Sequence, residues 1–166
     1  MSRLPPLDPA SMTAEQKRVH DTIAGARKTV RGPFPMWLRN PALADHANAF
    51  GVALRDSSIG RRIFELIVIT VCRAWSVQYA WSSHAPQAEI AGVSPEVVKA
   101  IQNSRTPDFS RDDERVAYTV AQEIMTTKEL SKPTFLTPDL VFMPRYSQRI
   151  YRSPLSQSGN AILVLF

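Results

Sequence analysis

The stretch from Glu65 to Gly92 constrains the fold more than any other part of the chain, because it is helix-length on both sides of a possible turn. Trp75 and Ser76 lie near the midpoint between its acid, Glu65, and its imidazole, His84, and can reverse the chain. If both arms are helices, Glu65 and His84 each lie roughly 14 Å from the bend, at 1.5 Å per residue. The sequence therefore predicts a helical hairpin in which the two side chains face each other. A carboxylate that meets an imidazole in apolar surroundings is a common arrangement for proton transfer.

The first arm of this hairpin is ambiguous, because the β-branched run from Leu66 to Val71 also fits a buried strand. The length of this arm favours a helix. No helix breaker follows Gly60 before Ala74, and the main body of the chain holds no second strand-like run for pairing.

The remaining helices are predicted from their end signals. Thr13 to Gln16 has the form of a capping box that opens a first helix, which fades near 25–28. Asn40 and Pro41 begin a second helix that runs to about Arg55. The third helix follows Ser57 and Ser58, the fourth covers about 77–91, the fifth 96–102, and the sixth opens at Ser110 and runs to about 127. Prolines in the segment 32–35 predict a loop there. We therefore expect an all-α fold, a compact bundle of about six helices.

Composition excludes several classes of function. Cys72 is the single cysteine, so no internal disulfide, dithiol cycle or cysteine metal cluster forms within the chain. The longest apolar run is far shorter than the roughly 20 residues that span a bilayer, and the N-terminus lacks an apolar signal, so we expect a cytoplasmic protein without membrane contact. The net charge of +5 is concentrated in the last 35 residues, which carry +3 of it, and no basic stripe with interleaved aromatics occurs. Nucleic acid is therefore not an expected partner.

Three segments resemble one known family. They are GPFPMWLRNPALADHANAFGVALR, the helix that carries Glu65, and QYAWSSHAPQAEIAGVS. Together they are similar to the carboxymuconolactone decarboxylase and alkylhydroperoxidase D superfamily of small, all-helical, oligomeric proteins. The resemblance covers roughly residues 5–135, and it implies an alkylhydroperoxidase D-like bundle that assembles as a trimer or hexamer.

The resemblance also implies which chemistry is present. In the peroxidase branch, a CxxC pair works with a glutamate and a histidine, which fall here on Glu65 and His84. The two cysteine positions fall on Val77 and Ala80, so the disulfide-cycling mechanism is absent. Relatives without cysteines often carry a glutamate at the position of Ala80, and this chain lacks it. Glu65 and His84 are therefore the predicted catalytic residues, with no metal and no organic cofactor required.

Each candidate also has a plain structural interpretation. Glu65 has possible ion-pair partners in Arg61, Arg62 and Arg73. His84 also fits a satisfied core histidine or a helix-surface residue, although its position opposite Glu65 favours a site residue.

The aromatic residues Tyr79 and Trp81 are candidate walls of a substrate pocket, although aromatics at helical spacing are usual in a core. Cys72 lies on the same helix face as Glu65 and is best interpreted as a buried, inert thiol. Arg73 and His46 are further candidates for binding an anionic substrate, with solvated surface as the simpler interpretation.

Three functional hypotheses follow. The first is a decarboxylase-like enzyme (a lyase) that acts on a small carboxylated lactone or related acid, with His84 and Glu65 delivering a proton after carbon dioxide leaves. The second is a peroxiredoxin-like member of the peroxidase branch that has lost its redox cysteines. The third is a noncatalytic ligand-binding scaffold.

The pattern changes near residue 132, which divides the chain into a helical domain over 1–131, with an extended arm at 1–12, and an atypical tail over 132–166. The tail combines four prolines with arginine and serine and has no sustained helical period. A natural divergent arm and a change of reading frame near residue 135 both explain it. Either origin predicts an irregular tail.

Overall fold

The computed structural model describes residues 7–135, and within this range every regular element is helical, with no strand. A single turn of 3₁₀-helix over Pro9–Ser11 precedes the α-helices. These are α1 Ala14–Arg27, α2 Phe34–Trp37, α3 Pro41–Arg55, α4 Gly60–Ala74, α5 Gln78–Ile90, α6 Pro95–Gln102, α7 Asp112–Thr127 and α8 Lys132–Phe135. The expectation of an all-α fold is thus confirmed for the described residues.

Helix α4 lies at the centre of the molecule and packs chiefly against α5 and α7. Its residues Ile63, Leu66 and Ile69 join buried side chains of α5, α6 and α7 in the main hydrophobic cluster. A helix enclosed on several sides needs apolar residues around most of its circumference, which explains the β-branched run that also resembles a strand. Burial between helices decides the conformation here, because packing outweighs the modest helix penalty of β-branched residues.

A tight turn reverses the chain between α4 and α5, as the sequence predicts. Ser76 adopts a left-handed conformation with φ of 53°. The Val77 amide then donates to the Cys72 carbonyl at 2.9 Å, which closes the end of α4 in a Schellman-type arrangement. The two helices therefore run back along each other.

The N-terminal helices form a second cluster, in which α1 packs on α3. Its buried members are Val19, Ile23, Phe34, Leu38 and Ala44. The predicted capping box is present, since the Thr13 hydroxyl accepts from the Gln16 amide and the Gln16 side chain accepts from the Thr13 amide.

Two local predictions need correction. The loop expected over 32–35 contains the start of α2, because Pro33 and Pro35 occupy the N-cap and the first turn, where missing amide donors cost nothing. The arm expected to be extended holds the 3₁₀ turn in its described part, since the Asp8 carboxylate accepts from the Ala10 amide and caps it. Leu7 of this arm packs on the N-terminal cluster.

The tail prediction concerns mainly residues 136–166, which lie outside the described residues. Its first four residues form the single helical turn α8 rather than irregular chain. Over the described part of the chain, no helix combines the length and the apolar character needed to cross a membrane.

Candidate functional site

The hairpin of α4 and α5 brings Glu65 and His84 into direct contact. His84 Nδ1 lies 2.7 Å from Glu65 Oε2, a short hydrogen bond between the two arms. When Glu65 is ionised, its carboxylate can only accept, and Nδ1 is then the donor of this contact. The geometric prediction made from the Trp75–Ser76 turn is therefore confirmed, whereas a catalytic role for the pair stays a prediction.

Glu65 is completely buried, although it carries an ionisable carboxyl group. Arg61, one turn earlier on α4, places Nη2 2.6 Å from Glu65 Oε1. This contact is close but lacks the alignment of a hydrogen bond, so Oε1 has an electrostatic partner without a directed donor. The pairing with Arg61 and His84 explains how a charged group is tolerated in the interior.

The other two arginines considered as partners of Glu65 point elsewhere. Arg62 pairs with Asp113 and Glu114 of α7. Arg73 donates from Nε to the Gln102 carbonyl at 2.9 Å. Arg61 alone of the three therefore compensates the Glu65 carboxylate.

His84 connects this buried pair to the surface, because 31% of its side chain is exposed. Within residues 7–135, its second ring nitrogen, Nε2, has no hydrogen-bond partner. The Glu65 contact at Nδ1 fixes the ring and leaves Nε2 available to exchange a proton with a bound molecule.

Sequence reasoning missed two further cations in this region. Arg55 lies at the end of α3, close enough for the Glu65 charge to act on it, and Arg27 of α1 lies beside Arg55. One signal is present in the sequence: Gly51 interrupts the amphipathic helix α3, and a glycine inside a helix often marks a close approach of another group. Arg27 Nη2 lies only 2.6 Å from the place that a Gly51 Cβ would occupy.

A pocket of about 330 Å³ lies beside the α4–α5 turn and the end of α6. Trp81 lines it, together with Cys72, Arg73, Ser76, Val77, Gln78, Gln102 and Asn103. Tyr79 does not line this pocket; it is 57% exposed, and its ring lies over Gly32. Glu65 and His84 are not among the lining residues either. The structure therefore brings Trp81 and Cys72 to one pocket and the acid–base pair to another place along the same hairpin, and the substrate-pocket roles stay predictions.

Cys72 is buried, as expected. Burial raises the pKa of its thiol, and the negative charge of Glu65 raises that pKa further. This environment disfavours the nucleophilic thiolate.

His46, the remaining candidate for anion binding, is exposed on α3. In the described part of the chain, no group of three or more metal-ligating side chains comes together.

Comparisons with known proteins do not identify the chain: no family model, no curated protein and no solved structure matches it.

Proposed function

We propose that this protein is a carboxymuconolactone decarboxylase-like enzyme that uses His84 and Glu65 to move a proton on a small carboxylated lactone or related acid. The observation that carries the proposal is the hydrogen bond between His84 Nδ1 and the buried Glu65 carboxylate, which leaves Nε2 of a partly exposed ring without a partner in the described chain. An imidazole that is oriented by a hydrogen bond at one nitrogen and can exchange a proton at the other suits general acid–base catalysis.

The proposed reaction breaks the bond between the substrate carbon and its carboxylate. The bonding electron pair stays on that carbon as a carbanion or enolate, and carbon dioxide leaves. The imidazolium form of His84 donates its Nε2 proton to this carbon, while Nδ1 keeps its bond to Glu65. Water then returns a proton to Nε2. In this scheme Glu65 orients the ring by accepting the hydrogen bond from Nδ1.

A spectrophotometric screen of carboxylated lactones tests this proposal, with wild type, His84→Ala and His46→Ala compared. His46 is the matched control, because it is an exposed histidine outside the proposed site. We expect His84→Ala to lose roughly 100-fold or more of the rate, a usual contribution of a general acid, and His46→Ala to keep it. Equal rates for His84→Ala and wild type exclude His84 as the proton donor.

Thiol peroxidase activity is not expected. The thiol of Cys72 is buried, and side chains without sulfur stand at Val77 and Ala80, the positions that resemble the redox pair. A thiol-dependent hydroperoxide assay should give negligible turnover. A robust rate that Cys72→Ser abolishes contradicts this view.

The proposal extends to the finer fold and the assembly, an alkylhydroperoxidase D-like bundle in a homo-trimer or hexamer. Large apolar side chains on the outer face of α3 support association, since Leu43 and Phe50 are each about half exposed. Light scattering of the full chain at micromolar concentration tests it. A mass of 18.6 kDa, that of one chain, contradicts it.

A further inference from the structure

Three arginines from three helices form a row that reaches a buried carboxylate: Arg61 pairs with Glu65, Arg55 lies near both, and Arg27 lies beside Arg55. Arg27 belongs to α1, Arg55 to α3 and Arg61 to α4. The charges of Arg27 and Arg61 repel that of Arg55, while Glu65 attracts it. Glu65 is already engaged by Arg61 and by His84. The cluster therefore holds more positive charge than its own buried acid balances.

Arg27 is fixed in this cluster by groups that carry no charge. Its Nε donates to Asn48 Oδ1 at 2.8 Å, and Asn48 is buried. Its guanidinium lies over the Phe34 ring, 4.5 Å from the centroid. The absence of a side chain at Gly51 gives the guanidinium its room. These contacts hold the cation in place and leave its charge without a carboxylate among the described residues.

Arg55 extends to the same place. Its Nη1 lies 4.0 Å from the position that a Cβ added at Gly51 would occupy. Arg27 Nη2 approaches the same position from α1. The side chain is half-buried, and no hydrogen bond or ion pair within residues 7–135 involves its guanidinium. Burial lowers the pKa of Arg55, and the repulsion from Arg61 lowers it further. Among the described residues, exposed Asp56 is the one other acid whose charge acts on it. Bringing two cations together where both are partly shielded from water is costly without an anion.

We propose that Arg55 and Arg27 form a binding site for the carboxylate of a small organic acid beside the Glu65–His84 pair. A guanidinium presents parallel N–H groups that match the two oxygens of a carboxylate, and an anion between the two arginines removes their repulsion. Its role as a substrate site rests on the proposed function, because the acid that binds here would be the one on which His84 acts. Anion binding itself depends only on the arginines.

Nuclear magnetic resonance of the full chain labelled with ¹⁵N tests the site directly, through the Nε–H signals of the arginines. Succinate added in low-salt buffer should shift the Arg55 and Arg27 signals saturably. Arg55→Gln should weaken binding about tenfold or more, since a charged hydrogen bond contributes on the order of 1.5 kcal/mol. Arg105→Gln is the matched control, because it removes the same charge from an exposed loop position, and it should bind succinate as wild type does.

Further variants separate the possible outcomes. Arg55→Lys keeps the charge but loses the planar fork, so it should bind succinate more weakly than wild type and more tightly than Arg55→Gln. Circular dichroism confirms that each variant is folded. The absence of saturable shifts, or equal affinity in wild type and Arg55→Gln, overturns the site. Tighter binding of inorganic phosphate than of succinate overturns its assignment to carboxylates. His84→Ala should retain succinate binding, so a failed lactone screen with intact succinate binding refutes the proposed reaction and not this site.

Discussion

The ion pairs that Arg62 makes across the α4–α7 interface should contribute strongly to the free energy of unfolding. Arg62 contacts Glu114 and also Asp113, whose Oδ2 lies 2.5 Å from its Nη2. Glu114 is 3% exposed, and Arg62 is its one ion-pair partner within the described chain. We expect Arg62→Met, which keeps an unbranched side chain, to leave the Glu114 carboxylate buried without a counter-charge.

The size of the effect follows from this burial. Breaking a buried ion pair by removing one partner costs about 3–5 kcal/mol. The Arg62 side chain is 19% exposed, so some water can reach the vacated space, and we expect a loss of roughly 2–4 kcal/mol. For a chain of this size, that corresponds to a fall of about 5–15 °C in Tm.

Urea unfolding followed by circular dichroism at 222 nm measures this loss. The double variant Arg62→Met with Glu114→Met removes both charges, so it should recover most of the stability, because an apolar pair often replaces a buried ion pair without penalty. Asp113→Asn is the control, since the Asp113 side chain is 43% exposed and its pairing should contribute about 1 kcal/mol or less. A single variant within about 1 kcal/mol of wild type, or a double variant no more stable than the single, refutes the reasoning.

Three further predictions concern other parts of the molecule. Because burial raises the pKa of Cys72, iodoacetamide at pH 8 should alkylate the native thiol more slowly than the urea-unfolded one, and equal rates contradict this. The stability that this thiol contributes should be present below its unfolded pKa and lost as pH rises through the folded pKa. The hydrogen bond from Arg62 lowers the pKa of Asp113, so the stability that Asp113 contributes should be present above its unfolded pKa and lost as pH falls through the folded pKa. Urea midpoints should therefore fall less steeply with acid in Asp113→Asn than in wild type. Gly25 is exposed inside α1, and open space surrounds the position that an added methyl group would take. Gly25→Ala should therefore raise the free energy of unfolding by about 0.5–1 kcal/mol. A lower urea midpoint speaks against a regular helix there.

Local signals in the sequence identify most of the helices, because the physics of a helix end involves only neighbouring residues. The Thr13–Gln16 capping box and the Asn40 cap both form as predicted. The contact between Glu65 and His84 is also predictable, since both arms and the turn between them lie in one continuous segment. The prolines at 33 and 35 are misjudged, because they begin a helix at positions where their missing amide donors cost nothing. Pro86 lies inside α5, in agreement with the predicted helix over 77–91.

The arginine cluster is beyond the reach of such local reasoning. Arg27 and Arg55 belong to helices that meet only through tertiary packing, and neither has a spacing that relates it to Glu65. Gly51 signals a close approach but does not identify the group that approaches. The sixth predicted helix illustrates a smaller limit, since the sequence places its start at Ser110, yet the helix begins at Asp112 with Arg111 as its N-cap.

The left-handed turn at Ser76 has a consequence for the order of folding. Glu65 and His84 are only 19 positions apart, and most of the intervening chain is helical, so little chain entropy is lost when the two side chains meet. Contacts of such short sequence separation form faster than those that join distant segments. The Glu65–His84 contact can therefore form within one helical hairpin before α1 and α3 dock, whereas Arg27 and Arg55 come together only when those helices have packed.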